Sequence, residues 1–269
     1  MGVWSDSPRP EAAAAAYAAF VGRYGAQLAR ELIAAAAIPP AGQALDVGCG
    51  PGSLTAALAE HLGAERVAAI DPSEPFVNAC RERVPGADVR VGRVESLPFE
   101  SESFDAVLAQ LVLQLIDNRE LGIREMSRVA RPGAVLAACV WDWGAMPLLR
   151  AFWDAALALA PERAGALDDA GRVGYKQPLE LGQAFEVAGL EQVRSGEIWV
   201  SASYPDFDDL WRPLEVGVGN SGAFYGALVD ADRRRLREDA FRRLGAPLGP
   251  FQLEARSWWA AGLAPRRAG

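Results

Sequence analysis

Histidine and lysine are almost missing from this chain of 269 residues: His61 is the only histidine, and Lys176 stands alone against 26 arginines. Cysteine is scarce too. Cys49, Cys80 and Cys139 are isolated and lack metal-ligand spacing. A Ser–His or Cys–His catalytic pair and a histidine metal site are therefore both disfavoured, because each needs a nearby imidazole. No metal is expected. His61 falls on the helix that follows a glycine loop and reads as a surface residue. An odd number of unpaired cysteines points to thiols kept reduced.

Long apolar runs are also absent. None reaches the roughly 18 residues of a membrane helix, and the Ala-rich stretch from Ala12 to Gly22 is too short. Asp6 and Glu11 stand where a signal peptide would be basic, and Asp6 occupies the Ser/Thr position of a myristoylation pattern. The expectation is a cytoplasmic protein with no membrane partner. Positive charge is short as well: the net charge is −8, which gives no global support for binding a phosphate backbone. The one basic cluster, "RRRLRE" from Arg233 to Glu238, is interleaved with Asp230, Asp232 and Asp239 and reads as a solvated helix face. No nucleic-acid partner is expected.

What is present is a regular alternation. Residues 11–37 read as one or two helices stopped by Pro39 and Pro40. Strand-like stretches then follow at 43–48, 66–71, 87–92, 104–110 and 134–142, separated by helical stretches at 53–63, 73–84 and about 119–130. Ser73 stands where an N-cap is expected. Strand–helix alternation predicts an α/β doubly wound, mostly parallel sheet, with ligands at the carboxyl ends of its strands.

The first strand runs into "LDVGCGPG", residues 45–52. Glycine permits backbone angles closed to other residues and lets a ligand touch the main chain. The next helix offers unpaired N–H groups at its start. The spacing of Gly48, Gly50 and Gly52 is G-x-G-x-G, and not the G-x-G-x-x-G of dinucleotide enzymes. Asp46 precedes the loop, and Asp71 ends the second strand 25 residues later, where a carboxylate can hold a ribose diol or cap the next helix.

"LDVGCGPGSLT", "AAIDPSEPFV", "VESLPFESESFDAVLAQLVLQLI" and "EMSRVARPGAVLAACVWD" resemble, in order and spacing, the successive motifs of class I S-adenosylmethionine-dependent methyltransferases. The match runs from about Val21 to Asp142. "FVGRYGAQLAREL" and "VWDWGAMPLLRAFWDAA" resemble a bacterial branch of small-molecule enzymes of type 11. The resemblance implies a Rossmann-like seven-stranded sheet with a reversed last strand, its final three strands near 134–141, 191–201 and 251–260. It implies one domain overall: an N-terminal helical cap (1–40), a cofactor core (41–142), a cap insertion (143–178), a core helix and sixth strand (179–203), a second cap insertion (204–249), and a last strand with its tail (250–269).

Carried over by position, the resemblance puts Gly48, Gly50 and Gly52 against the methionine and ribose of the cofactor. Asp46 would orient the loop or meet the amino group, Asp71 would bind the ribose hydroxyls, and Pro72 and Ser73 would border the adenine. Many relatives carry an aspartate, acceptor for the adenine amino group, where this chain has Arg93, which has no acceptor. Either Glu95 reaches in or the backbone around Val94 reads the base. Gln110 and Leu111 would face the sulfonium. Arg23 and Tyr24 either close over the cofactor carboxylate or are a solvated arginine and a packed tyrosine. Many relatives place a histidine base just after the fourth strand. Here Gln114 stands there and cannot take a proton, so the base is elsewhere, with Asp142 and Glu215 as candidates, or none is required.

The cap segments would supply the methyl acceptor's contacts, with Trp143, Tyr175, Trp211 and Tyr225 as candidates beside Gln114. They suit a small, partly aromatic or apolar molecule, though each aromatic can equally be cap glue. Trp258 and Trp259 face opposite sides of the last strand and read as core. The expected partner is a small-molecule acceptor methylated on O or N, bound by a monomer or homodimer. The alternatives are an S-adenosylmethionine-binding protein without transfer, motivated by Arg93 and Gln114, and a nicotinamide oxidoreductase, which the glycine spacing disfavours.

Overall fold

A computed structural model describes residues 19–266 apart from 173, 174, 176, 178 and 218. The helical reading of 11–18 lies outside the described residues. After a 3-10 turn at Val21–Tyr24 comes α1 (Gly25–Ala36), which ends on Ala37 in the left-handed region (φ 54°) just before the prolines. The core then alternates: β1 (Ala44–Val47), α2 (Ser53–Leu62), β2 (Val67–Asp71), α3 (Glu74–Arg83), β3 (Asp88–Val91), β4 (Phe104–Gln110), α4 (Arg119–Val129) and β5 (Ala130–Trp141). Helices α5 (Pro147–Leu159), α6 (Pro161–Leu167) and α7 (Asp169–Arg172) lead to α8 (Glu180–Val187) and β6 (Glu191–Tyr204). Helices α9 (Phe207–Glu215), α10 (Gly219–Gly226) and α11 (Asp230–Arg243) precede β7 (Phe251–Leu263).

The sheet order is β3-β2-β1-β4-β5-β7-β6. Strands β1 to β5 pair in parallel, while β7 inserts between β5 and β6, antiparallel to both. The fold is the doubly wound α/β sheet that the strand–helix alternation predicts, with the reversed last strand that the family resemblance implies. Every residue of β1 and β2 is buried, as expected for parallel strands covered on both faces. Edge strand β6 alternates buried and exposed residues over Ile198–Tyr204 instead.

Successive strand residues feed opposite cores. Ala44, Leu108 and Cys139 pack with α1, α2 and the cap helices, whereas Leu45, Val107 and Val140 pack with α4 and α8. Trp258 is buried in the second core, and Trp259 packs half-buried on the first. The basic stretch forms α11, where Arg233, Arg235 and Arg243 pair with Asp230, Asp232 and Asp239. His61 is not a plain surface residue: it is half-buried, and Nε2 lies 2.9 Å from the Ile38 carbonyl. The order in which strands are added reverses between the parallel neighbours β1 and β4, and this opens a crevice at their carboxyl ends.

Candidate active site

The glycine loop after β1 is anchored to the end of β2. The amides of Gly48 and Cys49 both donate to the Ile70 carbonyl, each at 2.8 Å. Asp71, next in line, accepts from Gly50 N–H at 3.0 Å through Oδ2 and from Ser73 N–H at 2.8 Å through Oδ1. One carboxylate thereby fixes both the loop and the start of α3. Burial raises its pKa, and the two donated bonds oppose that rise. Ser73 sits at the N-cap position, but its side chain makes no cap bond; Asp71 meets the amide instead.

All three loop glycines have positive φ, of 75°, 51° and 86°, yet each excludes a side chain for its own reason. A Cβ on Gly48 would lie 2.4 Å from a Val112 methyl, and one on Gly52 would lie 2.9 Å from the Cys80 sulfur. A Cβ on Gly50 would meet nothing within 4 Å. Two of the glycines admit the protein's own packing. Only Gly50 faces open space.

Two cavities meet at Gly48. The larger, of about 790 Å³ including its open mouth, is lined by Asp71, Pro72, Ser73, Arg93, Val94 and Glu95. Ile70, Phe76, Val112 and Ile116 give it an apolar surface, and Leu115 and Asp117 complete the rim. Arg93 is exposed and pairs with Glu95 at 3.4 Å. The smaller cavity is lined by Asp46, Gly48, Cys49, Gly50, Gln110 and Leu111, with Val21, Gly22, Gly25 and Ser53 closing it. Leu111 takes a left-handed φ of 64°, so the chain turns sharply off β4 and its amide donates to Cys139 O at 2.9 Å.

Two residues that line the smaller cavity each carry a buried oxygen with no donor. Asp46 is fully buried; Thr55 Oγ1 donates to its Oδ2 at 2.6 Å, but Oδ1 has no partner. Gln110 Nε2 donates to Gly25 O at 3.1 Å, and its Oε1 has no partner either. Burial pushes the Asp46 carboxyl up to about 8. Orphaned buried acceptors are costly, and these two belong to residues that line one cavity.

Several expected residues are engaged elsewhere. Arg23 donates to Ala19 O at 2.6 Å and Ser203 O at 3.2 Å and pairs with Asp209 at 2.6 Å, so it fastens the N-terminal turn to β6 and α9. Tyr24 is fully buried, its hydroxyl 3.4 Å from that of Tyr204 and its ring edge-on to Trp141. Neither lines the cleft; the turn contributes Val21 and Gly22 instead. Gln114 is buried and accepts from Trp141 N–H at 2.7 Å, which makes it a brace between the β4 loop and the end of β5. Asp142 is held by Arg256 at 2.7 Å and accepts from Gly144 N–H at 3.2 Å. Glu215 is exposed at the end of α9.

The four aromatics do not form one cluster. Trp211 stacks on Phe207 and meets Tyr225 edge-on, which is cap glue. Trp143 shares that core, whereas Tyr175 belongs to the core on the other sheet face, under Arg119 at 5.2 Å. Val112 and Phe76 line the larger cavity and were missed. Phe76 sits within "DPSEPF" on the first turn after Asp71, which was the available signal.

The site combines a crevice at the switch point, a glycine loop tied to the carboxylate that ends β2, and two buried side-chain oxygens without partners on residues that line the smaller cavity. A family model described as "Methyltransferase domain" matches residues 45–138. Demethylmenaquinone methyltransferase of Roseiflexus castenholzii is 32% identical over 174 residues, 60% of this chain and 73% of that protein. Malonyl-[acyl-carrier protein] O-methyltransferase of Salmonella typhimurium is 34% identical over 111 residues, 41% of this chain and 43% of that protein. The chain thus spans less than half the length of some curated relatives that it matches. In fold it is similar to phosphoethanolamine N-methyltransferase 2 of Haemonchus contortus, solved with phosphomonomethylethanolamine and S-adenosylhomocysteine. The TM-score is 0.61 at 15% identity, over 98% of this chain and 60% of that one. The chain belongs to the class I S-adenosylmethionine-dependent methyltransferases, and S-adenosylmethionine is its cofactor.

Proposed function

We propose that the chain transfers a methyl group from S-adenosylmethionine to an oxygen or nitrogen of a small, partly apolar acceptor. The observation that carries this reading is the pair of buried, donorless oxygens, Asp46 Oδ1 and Gln110 Oε1, on residues that line the cavity beside the open face of Gly50. They would receive the ammonium of the cofactor. Asp71, with lone pairs to spare on both oxygens, would hold the ribose diol. The surface of Ile70, Phe76 and Val94 would take the flat base, and Glu95 at its rim would accept from the adenine amino group in place of the aspartate that Arg93 replaces. Bound there, S-adenosylmethionine would supply a methyl group on a sulfonium whose departing thioether is neutral.

For the transfer itself the chain's contribution is alignment and exclusion of water. Gln114 is bound to backbone, Asp142 to Arg256, and Glu215 faces solvent. This arrangement favours acceptors that need no proton removed, such as carboxylates or unprotonated amines. The names of two matched relatives, malonyl-[acyl-carrier protein] O-methyltransferase and trans-aconitate 2-methyltransferase, point to acid acceptors.

The test is calorimetric titration of S-adenosylmethionine and S-adenosylhomocysteine, followed by a methyl-transfer screen of carboxylic acids, amines and phenols. Micromolar binding with turnover on one class supports the reading. Binding without turnover on any class would favour a cofactor-binding protein that transfers nothing. No binding would remove the reading altogether.

A further inference from the structure

One wall of the larger cavity is a short, firmly held turn. Gly92 N–H donates to Asp71 O at 3.1 Å, which continues the pairing of β2 with β3. Ser96 N–H donates to Arg93 O at 3.1 Å and closes the chain on itself over residues 93–96. Just beyond, Leu97 N–H donates to a Glu125 carboxylate oxygen at 3.0 Å, and Leu97 O accepts from Arg128 at 3.0 Å. Glu125 and Arg128 pair with each other on α4. Val94 is buried within the turn. Its two neighbours, Arg93 and Glu95, are thus carried on a backbone tied at both ends, and both line the cavity.

The two side chains stand next to each other, with Arg93 Nη2 3.4 Å from Glu95 Oε1. That is longer than the about 2.7–2.9 Å of a tight charge-assisted bond. The contact uses one guanidinium N–H and one carboxylate oxygen. Among the described residues neither side chain has a further hydrogen-bond partner. The remaining donors of Arg93 and the second oxygen of Glu95 are therefore left for a ligand. Arg93 is also the only cation among the described residues that line this cavity. Ile70 and Phe76 supply the apolar surface against which a flat ring can lie.

We propose that Arg93 sets the base selectivity of the site, so that it takes a 6-oxopurine nucleoside as well as a 6-aminopurine one. A carboxylate alone at this wall accepts from the 6-amino group of adenine and repels the 6-oxo group of hypoxanthine, which has no proton to give. A guanidinium beside the carboxylate lets the pair address either ring edge. Adenine presents a donor at C6 and an acceptor at N1: Glu95 accepts from the amino group, and Arg93 donates to N1. Hypoxanthine presents the reverse. Arg93 then donates to O6, and Glu95 accepts from N1–H. Neither base leaves the pair unsatisfied, and a site rejects an analogue strongly only where its polar groups are left unpaired. The Arg93 side chain is 55% exposed, so it has space to move between the two positions without disturbing the turn. Base selection of this kind rests on the reading of the larger cavity as the base pocket of the cofactor.

The full chain, Arg93→Met and Arg93→Lys are each titrated calorimetrically with S-adenosylhomocysteine and with S-inosylhomocysteine, its 6-oxo counterpart. A thermal melt of every sample confirms that it is folded. The wild type should bind the two ligands within about tenfold of each other, a difference of at most about 1.4 kcal/mol. Arg93→Met keeps the apolar stem but leaves O6 facing the Glu95 carboxylate, while the adenine amino group keeps its acceptor. It should weaken S-inosylhomocysteine about tenfold more than S-adenosylhomocysteine, again about 1.4 kcal/mol. Arg93→Lys restores a donor and should recover part of that difference, a pattern that loss of a merely structural arginine would not produce. A wild-type preference for the adenosyl ligand above about tenfold, or equal weakening of both ligands in Arg93→Met, would overturn the proposal. If the wild type binds S-adenosylhomocysteine alone, the cofactor reading stands and the dual selectivity fails. If it binds neither ligand, the cofactor reading itself fails.

Discussion

Thr55 Oγ1 donates to Asp46 Oδ2 at 2.6 Å, while the other oxygen, Oδ1, is buried without a partner on a residue that lines the cavity between β1 and β4. Among the described residues none donates to this oxygen, and burial favours the protonated carboxyl until a donor or cation is placed beside it. Its cost without that donor makes it measurable.

Asp46 has a folded pKa of about 8, raised by burial from an ordinary value of about 3.9. The folded chain therefore holds the proton more tightly than the unfolded chain. Its contribution is fully present below pH ~4 and is lost as pH rises through ~8. Urea unfolding across pH 5 to 9 should show this decline in the wild type and lack it in Asp46→Asn. An ammonium beside Oδ1 favours the carboxylate, so cofactor uptake at pH 7 should release up to about one proton. Calorimetry in buffers of different ionisation enthalpy counts it, and zero release would place the ammonium elsewhere.

Asp71 both anchors Gly50 and Ser73 and faces the larger cavity. Asp71→Asn keeps one acceptor oxygen and should fold, yet bind S-adenosylhomocysteine about 10- to 100-fold more weakly, since hydrogen bonds to a charged group contribute about 1.5–3 kcal/mol. Asp71→Ala should lose binding and also melt earlier. Near-wild-type affinity in both would reduce Asp71 to a helix cap.

The three glycines should respond differently to alanine. Gly50→Ala meets no atoms and costs only the left-handed backbone, about 1–2 kcal/mol, but it intrudes on the cleft, so binding suffers more than stability. Gly48→Ala strikes Val112 and should cost more in stability, with partial recovery in the double variant with Val112→Ala. Thermal melts and titration of the same samples separate the two cases. Equal losses across the series would contradict the assignment.

Gln114→Leu removes the acceptor of the buried Trp141 N–H. An unsatisfied buried donor costs about 1–3 kcal/mol, so the melting temperature should fall by a few degrees while the pH profile of turnover keeps its shape. A changed profile would restore Gln114 to the chemistry.

Local pattern carried much of this protein. Asp71, the G-x-G-x-G spacing and the strand–helix alternation were legible because each depends on residues within one turn or one strand–loop–helix unit. The strand spans came out within a few residues for the same reason, since parallel strands are near-continuous apolar runs.

Only the tertiary structure decided where the remaining side chains are used. Tyr24 meets Tyr204, 180 residues away; Asp142 is taken by Arg256, 114 away; Gln114 braces Trp141, 27 away. The same holds for the glycines: composition gave them one shared reason, and packing by Val112 and Cys80 assigned two of them to the chain itself. A polar side chain's role is set by whichever partner the fold brings within about 3 Å, and periodicity in sequence carries no information on that distance.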